Sequence, residues 1–162
     1  MNEPQQRKFF NFLLKKGVKF FIGVPDSTLK FFIDEASKKN KIIITTREDE
    51  AIGLGTGIAL SDQKCLIFMQ NAGFANSIST ITSLVQLYHI PMIFLIGWRG
   101  YLSDDAPEHT KIGKIQPDLL KLINIPSKIL NENNIEKNCA WAIDSINKNK
   151  TCALIIKRDF HD

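Results

Sequence analysis

Cysteine is scarce in this chain and odd in number. Cys65, Cys139 and Cys152 offer no metal-ligand spacing and no even set to pair. That argues against a disulfide framework or a cysteine-based zinc site. Cys65 and Cys152 lie in or beside apolar runs and read as small core residues, for which a reducing cytoplasm is the natural compartment. No apolar run approaches the roughly 20 residues that span a bilayer. Met1 to Gly17 has charges on both sides of a short apolar stretch and lacks a small-residue cleavage site, so it is not expected to be a signal peptide. There is no arginine-rich block either. Lys+Arg is 21 against 17 Asp+Glu, a net charge of +4, and the excess is lysine scattered along the chain, which argues against a nucleic-acid footprint. No G-x-G-x-x-G follows the first strand, where Gly23-Val24-Pro25 stands instead. Gly53-Leu54-Gly55-Thr56-Gly57 lies inside a helical pattern, so a dinucleotide or phosphate loop is also missing. No Ser-His-Asp set accompanies a nucleophile elbow, and His and Cys show no metal spacing.

What is present is a regular alternation. The 162 residues, 44% hydrophobic and 23% charged, suit one soluble globular domain over 1–162. Residues 4–16 predict a helix ended by Gly17, and Val18–Val24 a strand closed by Pro25. A helix follows from Ser27 to about Lys38, then a strand over Lys41–Thr46 and a small-residue helix over Glu48–Leu60. Lys64–Gln70 is the third strand, Phe74–Leu87 a helix, and Pro91–Gly97 the fourth strand. Trp98–Gln116 reads as a long polar connection and Pro117–Ile123 as a short helix. Ser127–Leu130 and Thr151–Lys157 are strands around a helix at Asn134–Lys148. Strands apolar on both faces, separated by helix-sized crossovers, mean a six-stranded parallel sheet with helices on both faces: an α/β three-layer sandwich. Strand order is not legible.

In such a sheet ligands bind at the carboxyl ends of the strands. The polar residues gather in the loops after strands one to four: Pro25-Asp26-Ser27, Arg47-Glu48-Asp49-Glu50, Gln70-Asn71-Ala72-Gly73 and Trp98 to Gly113. Glu48 opens a helix on whose face Ala51, Gly55 and Ala59 follow, whereas Asp49 and Glu50 turn away by about 100° and 200°. A small-residue face admits another backbone or a ligand, or packs on the chain's own sheet; both readings stay open. An acid there also favours the helix dipole. His89 falls at a loop or helix end, His161 in the tail, and His109 in a long loop of the kind that carries catalytic groups.

Read together, these motifs resemble the pyrimidine-binding domain of thiamine-diphosphate-dependent 2-oxo acid decarboxylases. Within that family the chain is similar to the alpha subunit of sulfopyruvate decarboxylase and the N-terminal half of phosphonopyruvate decarboxylase. The matching stretches are Gly23-Val24-Pro25-Asp26-Ser27, Glu48 with Ala51 and Gly57, Met69-Gln70-Asn71-Ala72-Gly73 with Asn76, and Thr82-Ser83-Leu84. Ile90-Pro91-Met92, Gly97-Trp98-Arg99-Gly100 and Asp105-Ala106-Pro107-Glu108-His109 complete them, from about residue 5 to 157. Arg47, where the family often has Asn, Ala72, where it usually has Ser, and Ser79-Thr80, where it has a further Asn and Pro, depart from the pattern and bear on the substrate more than on the cofactor.

The resemblance implies thiamine diphosphate as cofactor, with Glu48 hydrogen-bonding its aminopyrimidine and thereby driving removal of the thiazolium C2 proton. Glu48, Asp26 and His109 become the catalytic candidates, Glu48, Pro25, Gln70, Asn71 and Gly73 the cofactor-binding ones, and Ser27, Asn76 and Arg99 the substrate-binding ones. Arg99 has a plainer alternative, packing beside Trp98 and pairing with Asp104 or Asp105. The family's Gly-Asp-Gly segment for diphosphate and Mg²⁺ has no counterpart, since no Gly-Asp dipeptide occurs. The metal is therefore expected on a beta-type partner chain, with homodimerisation through the helices carrying Glu48 and Phe74–Leu87 also open. The implied activity is decarboxylation of a small anionic 2-oxo acid, phosphonopyruvate or sulfopyruvate, by a carboxy-lyase complete only with its partner. An acetolactate-synthase-like carboligase subunit and a catalytically silent binding module are the alternatives.

Overall fold

In a computed structural model the chain is described over residues 1–102 and 104–158; His161 lies outside the described residues. The elements are α1 Glu3–Lys15, β1 Val18–Gly23, α2 Lys30–Lys38, β2 Ile42–Ile44, α3 Glu48–Leu60, β3 Lys64–Gln70, α4 Asn71–Asn76 and α5 Ile78–Thr80. A π-helical segment at Ile81–Gln86 leads to β4 Ile93–Trp98, α6 Pro107–Leu122, β5 Ser127–Ile129, α7 Ile135–Asn147 and β6 Cys152–Lys157. The six strands form one sheet in the order β2-β1-β3-β4-β6-β5, and every neighbouring pair is parallel.

Alternation along each strand divides the core in two. Phe21, Leu66, Ile93 and Leu154 face one side, with Phe9, Phe10 and Leu13 of α1, Phe32 of α2 and Ile143 of α7. Their neighbours Ile22, Ile67, Phe94 and Ile155 face the other side, with Ile52 of α3, Phe74 of α4, Val85 of the π segment and Leu120 of α6. The first layer is the more aromatic: Phe10 and Phe32 each meet Phe21, at ring centroid distances of 4.7 and 5.5 Å. α1 is held at its start by a reciprocal cap, Gln5 N to Asn2 Oδ1 at 3.2 Å and Asn2 N to Gln5 Oε1 at 3.1 Å.

Three features depart from expectation. The helix after β3 begins at Asn71, not Phe74, directly at the strand end. It is then interrupted, because the hydroxyls of Ser77 and Thr82 donate to the carbonyls of Gly73 and Ile78, both at 2.9 Å. Such bonds to the i−4 carbonyl compete with the helical ladder, and the run widens into a π segment. The largest correction concerns Trp98–Gln116. Instead of a connection running to Gln116, α6 begins at Pro107 and continues through Pro117. Proline lacks the N–H that would bond the carbonyl four residues earlier. That carbonyl belongs to Gly113, and it accepts from Trp98 Nε1 at 2.8 Å. A tertiary donor replaces the missing backbone donor, so the helix continues.

The small-residue face of α3 packs on the chain's own sheet, with Ala51 and Gly55 buried and Gly55 directly against Ile67 and Met92. All three cysteines are free and buried, and burial pushes their thiols up to about 12. Among the described residues no helix is long and apolar enough to cross a membrane.

Candidate active site

The strand order reverses beside β1. The chain leaves β1 for β2 on one side and reaches β3 on the other, so a crevice opens at the carboxyl ends of β1 and β3. The segments after β1, β2, β3 and β4 converge there.

Three consecutive acids open α3, where the helix dipole favours them. Their partners separate them. Asp49 takes Arg47, with Nε–Oδ1 at 2.9 Å and Nη2–Oδ2 at 3.2 Å. Glu50 accepts from Thr46 N at 3.1 Å and Thr46 Oγ1 at 3.0 Å. Among the described residues nothing donates to the half-buried carboxylate of Glu48. It lies across Gly73 at the start of α4, and a Cβ on Gly73 would come within 2.2 Å of its Oε1. Only glycine leaves that carboxylate its place. Beside it, Arg47, Glu48, Asp49, Asn76 and Ser77 line a cleft of about 400 Å³.

Asp26, 6% exposed, ties three strand ends together. Its Oδ1 accepts from Gln70 Nε2 at 3.0 Å and its Oδ2 from Thr28 N at 3.2 Å. That Oδ2 also occupies the space a Cβ on Gly97 would need, 2.1 Å away. Asn71 is fully buried and reads the backbone of Arg99 both ways: Nδ2 donates to its carbonyl at 2.9 Å and Oδ1 accepts from its N–H at 3.1 Å. Both polar atoms of Asn71 are thus engaged within the chain, where it joins the β3 and β4 loops.

Arg99 takes the plainer of its two readings as far as its main partner goes. Nε reaches Asp105 Oδ2 at 2.9 Å and Nη2 reaches Oδ1 at 2.7 Å. Asp105 also accepts from Gly100 N at 2.7 Å and Ala106 N at 2.8 Å. The Arg99 hydrogen bonds, with those two backbone donors, hold the Asp105 carboxyl well below the usual carboxylate range, and the Arg99 guanidinium is raised in turn. Nη1 of Arg99 lies 3.5 Å from Ser27 Oγ. His109 sits in the first turn of α6 rather than in an open loop. Its side chain is 15% exposed, with Nε2 4.0 Å from Glu108 Oε1. No hydrogen bond among the described residues joins its ring to Asp26, Glu48 or Arg99. Pro25 is exposed beside Asp26. Among the described residues no three His, Cys, Asp or Glu side chains form a metal cluster.

Residues 6–120 match the family model described as "Thiamine pyrophosphate enzyme, N-terminal TPP binding domain". The chain belongs to this family. Among curated relatives, sulfopyruvate decarboxylase subunit alpha of Methanococcus maripaludis is 37% identical over 116 residues, 70% of each chain. Phosphonopyruvate decarboxylase of Streptomyces viridochromogenes is 30% identical over 129 residues, 78% of this chain and 32% of that one. Among solved structures, a 2-oxoglutarate:ferredoxin oxidoreductase from Magnetococcus marinus superposes with a TM-score of 0.69 at 13% identity, covering 97% of this chain and 29% of that one. At that identity the likeness is one of fold. Membership of the thiamine pyrophosphate family agrees with the sequence motifs and with the six-stranded parallel sheet.

Sequence reasoning singled out Glu48, Asp26 and Gln70 at this edge, and the structure gathers them. Asp105 stood in one motif with four residues that follow it and as one of two possible partners of Arg99, but its position as the hub of the β4 loop is not legible in the sequence. β6 ends with Lys157 at the same edge of the sheet, beyond the loops after strands one to four.

Proposed function

We propose that this chain is the alpha-type, pyrimidine-binding subunit of a thiamine-diphosphate-dependent decarboxylase for a small anionic 2-oxo acid, sulfopyruvate or phosphonopyruvate. The whole of 1–162 acts as that one domain. The observation that carries the reading is Glu48: of three adjacent acids it is the one without a donor among the described residues, and it stands half-buried over Gly73. A carboxylate kept there without a partner is stable if a ligand supplies one. The aminopyrimidine of thiamine diphosphate has the matching nitrogen, so the donor set fits the cofactor.

Bound thiamine diphosphate supplies the electron sink that 2-oxo acid decarboxylation needs. Glu48 holds and returns the proton on the aminopyrimidine ring nitrogen. Gly73 gives its carboxylate room, Asn71 and Gln70 lock the neighbouring loops, and Pro25 walls the crevice. Asp26 and His109 handle substrate and product protons; Ser27, Asn76 and Arg99 face the substrate's polar groups. A beta-type chain with the Gly-Asp-Gly motif holds diphosphate and Mg²⁺, and the pair works in the cytoplasm, where three buried unpaired thiols are at home.

The test is Glu48→Gln in the enzyme assembled with its partner. Hydrogen–deuterium exchange at C2 of bound thiamine diphosphate should slow by about 10²–10⁴-fold, the usual range for a positioned acid–base group. Exchange at the unaltered rate overturns the assignment.

A further inference from the structure

Next to the Asp26 loop lies a cavity of about 210 Å³, lined by Ser27, Thr28, Lys30 and Phe31 on one wall and by Lys157 and Arg158 at the end of β6 on the other. Its polar groups are arranged for an anion. Lys157 Nζ rides 3.9 Å from the ring centroid of Tyr101 and 5.6 Å from that of Trp98; Lys30 Nζ lies 5.4 Å from that of Phe31. Neither ammonium has a carboxylate within ion-pair distance among the described residues. Thr28 is 8% exposed, yet among the described residues its Oγ1 has no hydrogen-bond partner. Its backbone is pinned on both sides: the carbonyl accepts from the buried Gln6 Nε2 at 3.0 Å, and the N–H donates to Asp26. A fixed, buried hydroxyl with no partner among the described residues, on a residue that lines the same cavity as Lys30 and Lys157, is costly unless something accepts from it. Two acids stand next to this wall: Asp26, which accepts from Gln70 and from Thr28 N, and Asp105, already shared by Arg99 and by Arg158 Nη1 at 3.3 Å.

We propose that this cavity is the subsite for the tetrahedral oxyanion on the substrate's third carbon, with Lys157, Lys30 and Thr28 as its specificity-determining residues. The inference rests on the proposed function and deepens it. Ser27 joins the two parts of the site, since it lines the cavity and its hydroxyl stands 3.5 Å from Arg99 Nη1. A three-oxygen anionic head accepts from several directions, which suits two ammonium point charges and hydroxyls better than a planar fork. Sulfonate and phosphonate share this chemistry.

The experiment has a binding arm and a kinetic arm. Methanesulfonate, methylphosphonate and acetate are titrated into the assembled enzyme and followed by amide chemical shifts. The two tetrahedral anions should saturate and move Ser27, Thr28 and Lys157, with the tighter one naming the natural head group; acetate should not. In Lys157→Gln and in Lys30→Gln the dissociation constant should rise about tenfold, as expected for one lost charge-assisted contact. KM for the tailed 2-oxo acid should rise in step while kcat changes less than about twofold. Thr28→Val, which keeps the side chain's size, should raise KM by a smaller factor, and Lys150→Gln at the opposite end of the sheet should change nothing. Saturation by acetate equal to that by the tetrahedral anions, or KM unmoved in both lysine variants, overturns the subsite. The binding arm does not depend on catalysis. Anion binding lost in Lys157→Gln but C2 exchange unaltered in Glu48→Gln would retain the subsite and discard the decarboxylase reading; the reverse pattern would do the opposite.

Discussion

Glu48 and Asp105 are carboxylates at the same edge of one sheet, and the chain treats them oppositely. Asp105 is buried and receives two guanidiniums and two backbone N–H groups. Glu48 is half-buried and receives no donor among the described residues. The first arrangement completes a structure; the second leaves an acceptor to be completed from outside. A polar group's role can thus be read from whether its hydrogen-bonding capacity is filled, more securely than from its being an acid in a loop. The Asp105 side gives the β4 loop and α6 a fixed form, and the Glu48 side uses that fixed surrounding to hold one reactive group still.

The sharpest way to break this contrast is to empty the filled site. Asp105→Asn removes one member of a buried pair and should lower unfolding stability by about 3 kcal/mol, read by urea denaturation. The sign with pH follows from the direction of the shift. Asp105 is depressed in the fold, so its contribution is fully present above the ordinary carboxylate range and is lost as pH falls below it, toward the folded value. The gap between wild type and Asp105→Asn should therefore be constant from pH 7 to about 5 and begin to close below about pH 4. A gap that widens on acidification would contradict the role.

Next in size, Gly73→Ala puts a methyl group where the Glu48 carboxylate lies. Displacing a catalytic group by about 1 Å can cost about 10²-fold, so C2 exchange should slow by that order while the melting temperature stays within a few degrees. If exchange is unchanged, the carboxylate does not work from this position. The smallest effect is expected at Trp98→Phe, which withdraws the donor from Gly113 and leaves its carbonyl unpaired opposite Pro117. A loss of about 1–2 kcal/mol, with faster amide exchange confined to α6, would show that the indole replaces the proline's missing N–H.

How far the sequence carried depends on whether its signals were local. β3, β4 and β6 were legible because each is buried on both faces over its middle and reads as a nearly continuous apolar run, and β1 because its second half is buried behind the exposed Lys19. The edge strands were placed but drawn too long, Lys41–Thr46 against Ile42–Ile44 and Ser127–Leu130 against Ser127–Ile129, since pairing on one side only ends sooner. Pro117 looked like a helix start because proline usually is one; its tolerance inside α6 depends on Trp98, 19 positions earlier, which no window around Pro117 contains. Strand order is likewise set by packing between distant segments. In the site, helical geometry separated the direction of Glu48 from those of Asp49 and Glu50, because orientation within a turn is local; its role came only with the family resemblance. The engagement of Asn71 with Arg99, and of Arg99 with Asp105, required the β3 and β4 ends to be neighbours. Lys157 stands further still in sequence from Ser27, Thr28 and Lys30 of the same cavity.

The sheet's two borders have a consequence for assembly. Both outer strands are three residues long, too short a ledge of free amides and carbonyls for a foreign strand to zip onto. The ribbon is capped at either margin, so copies of the chain are not expected to polymerise edge to edge. Lasting association is then left to side chains on helices and loops, where recognition depends on which residues are presented rather than on a backbone pattern that every protein shares.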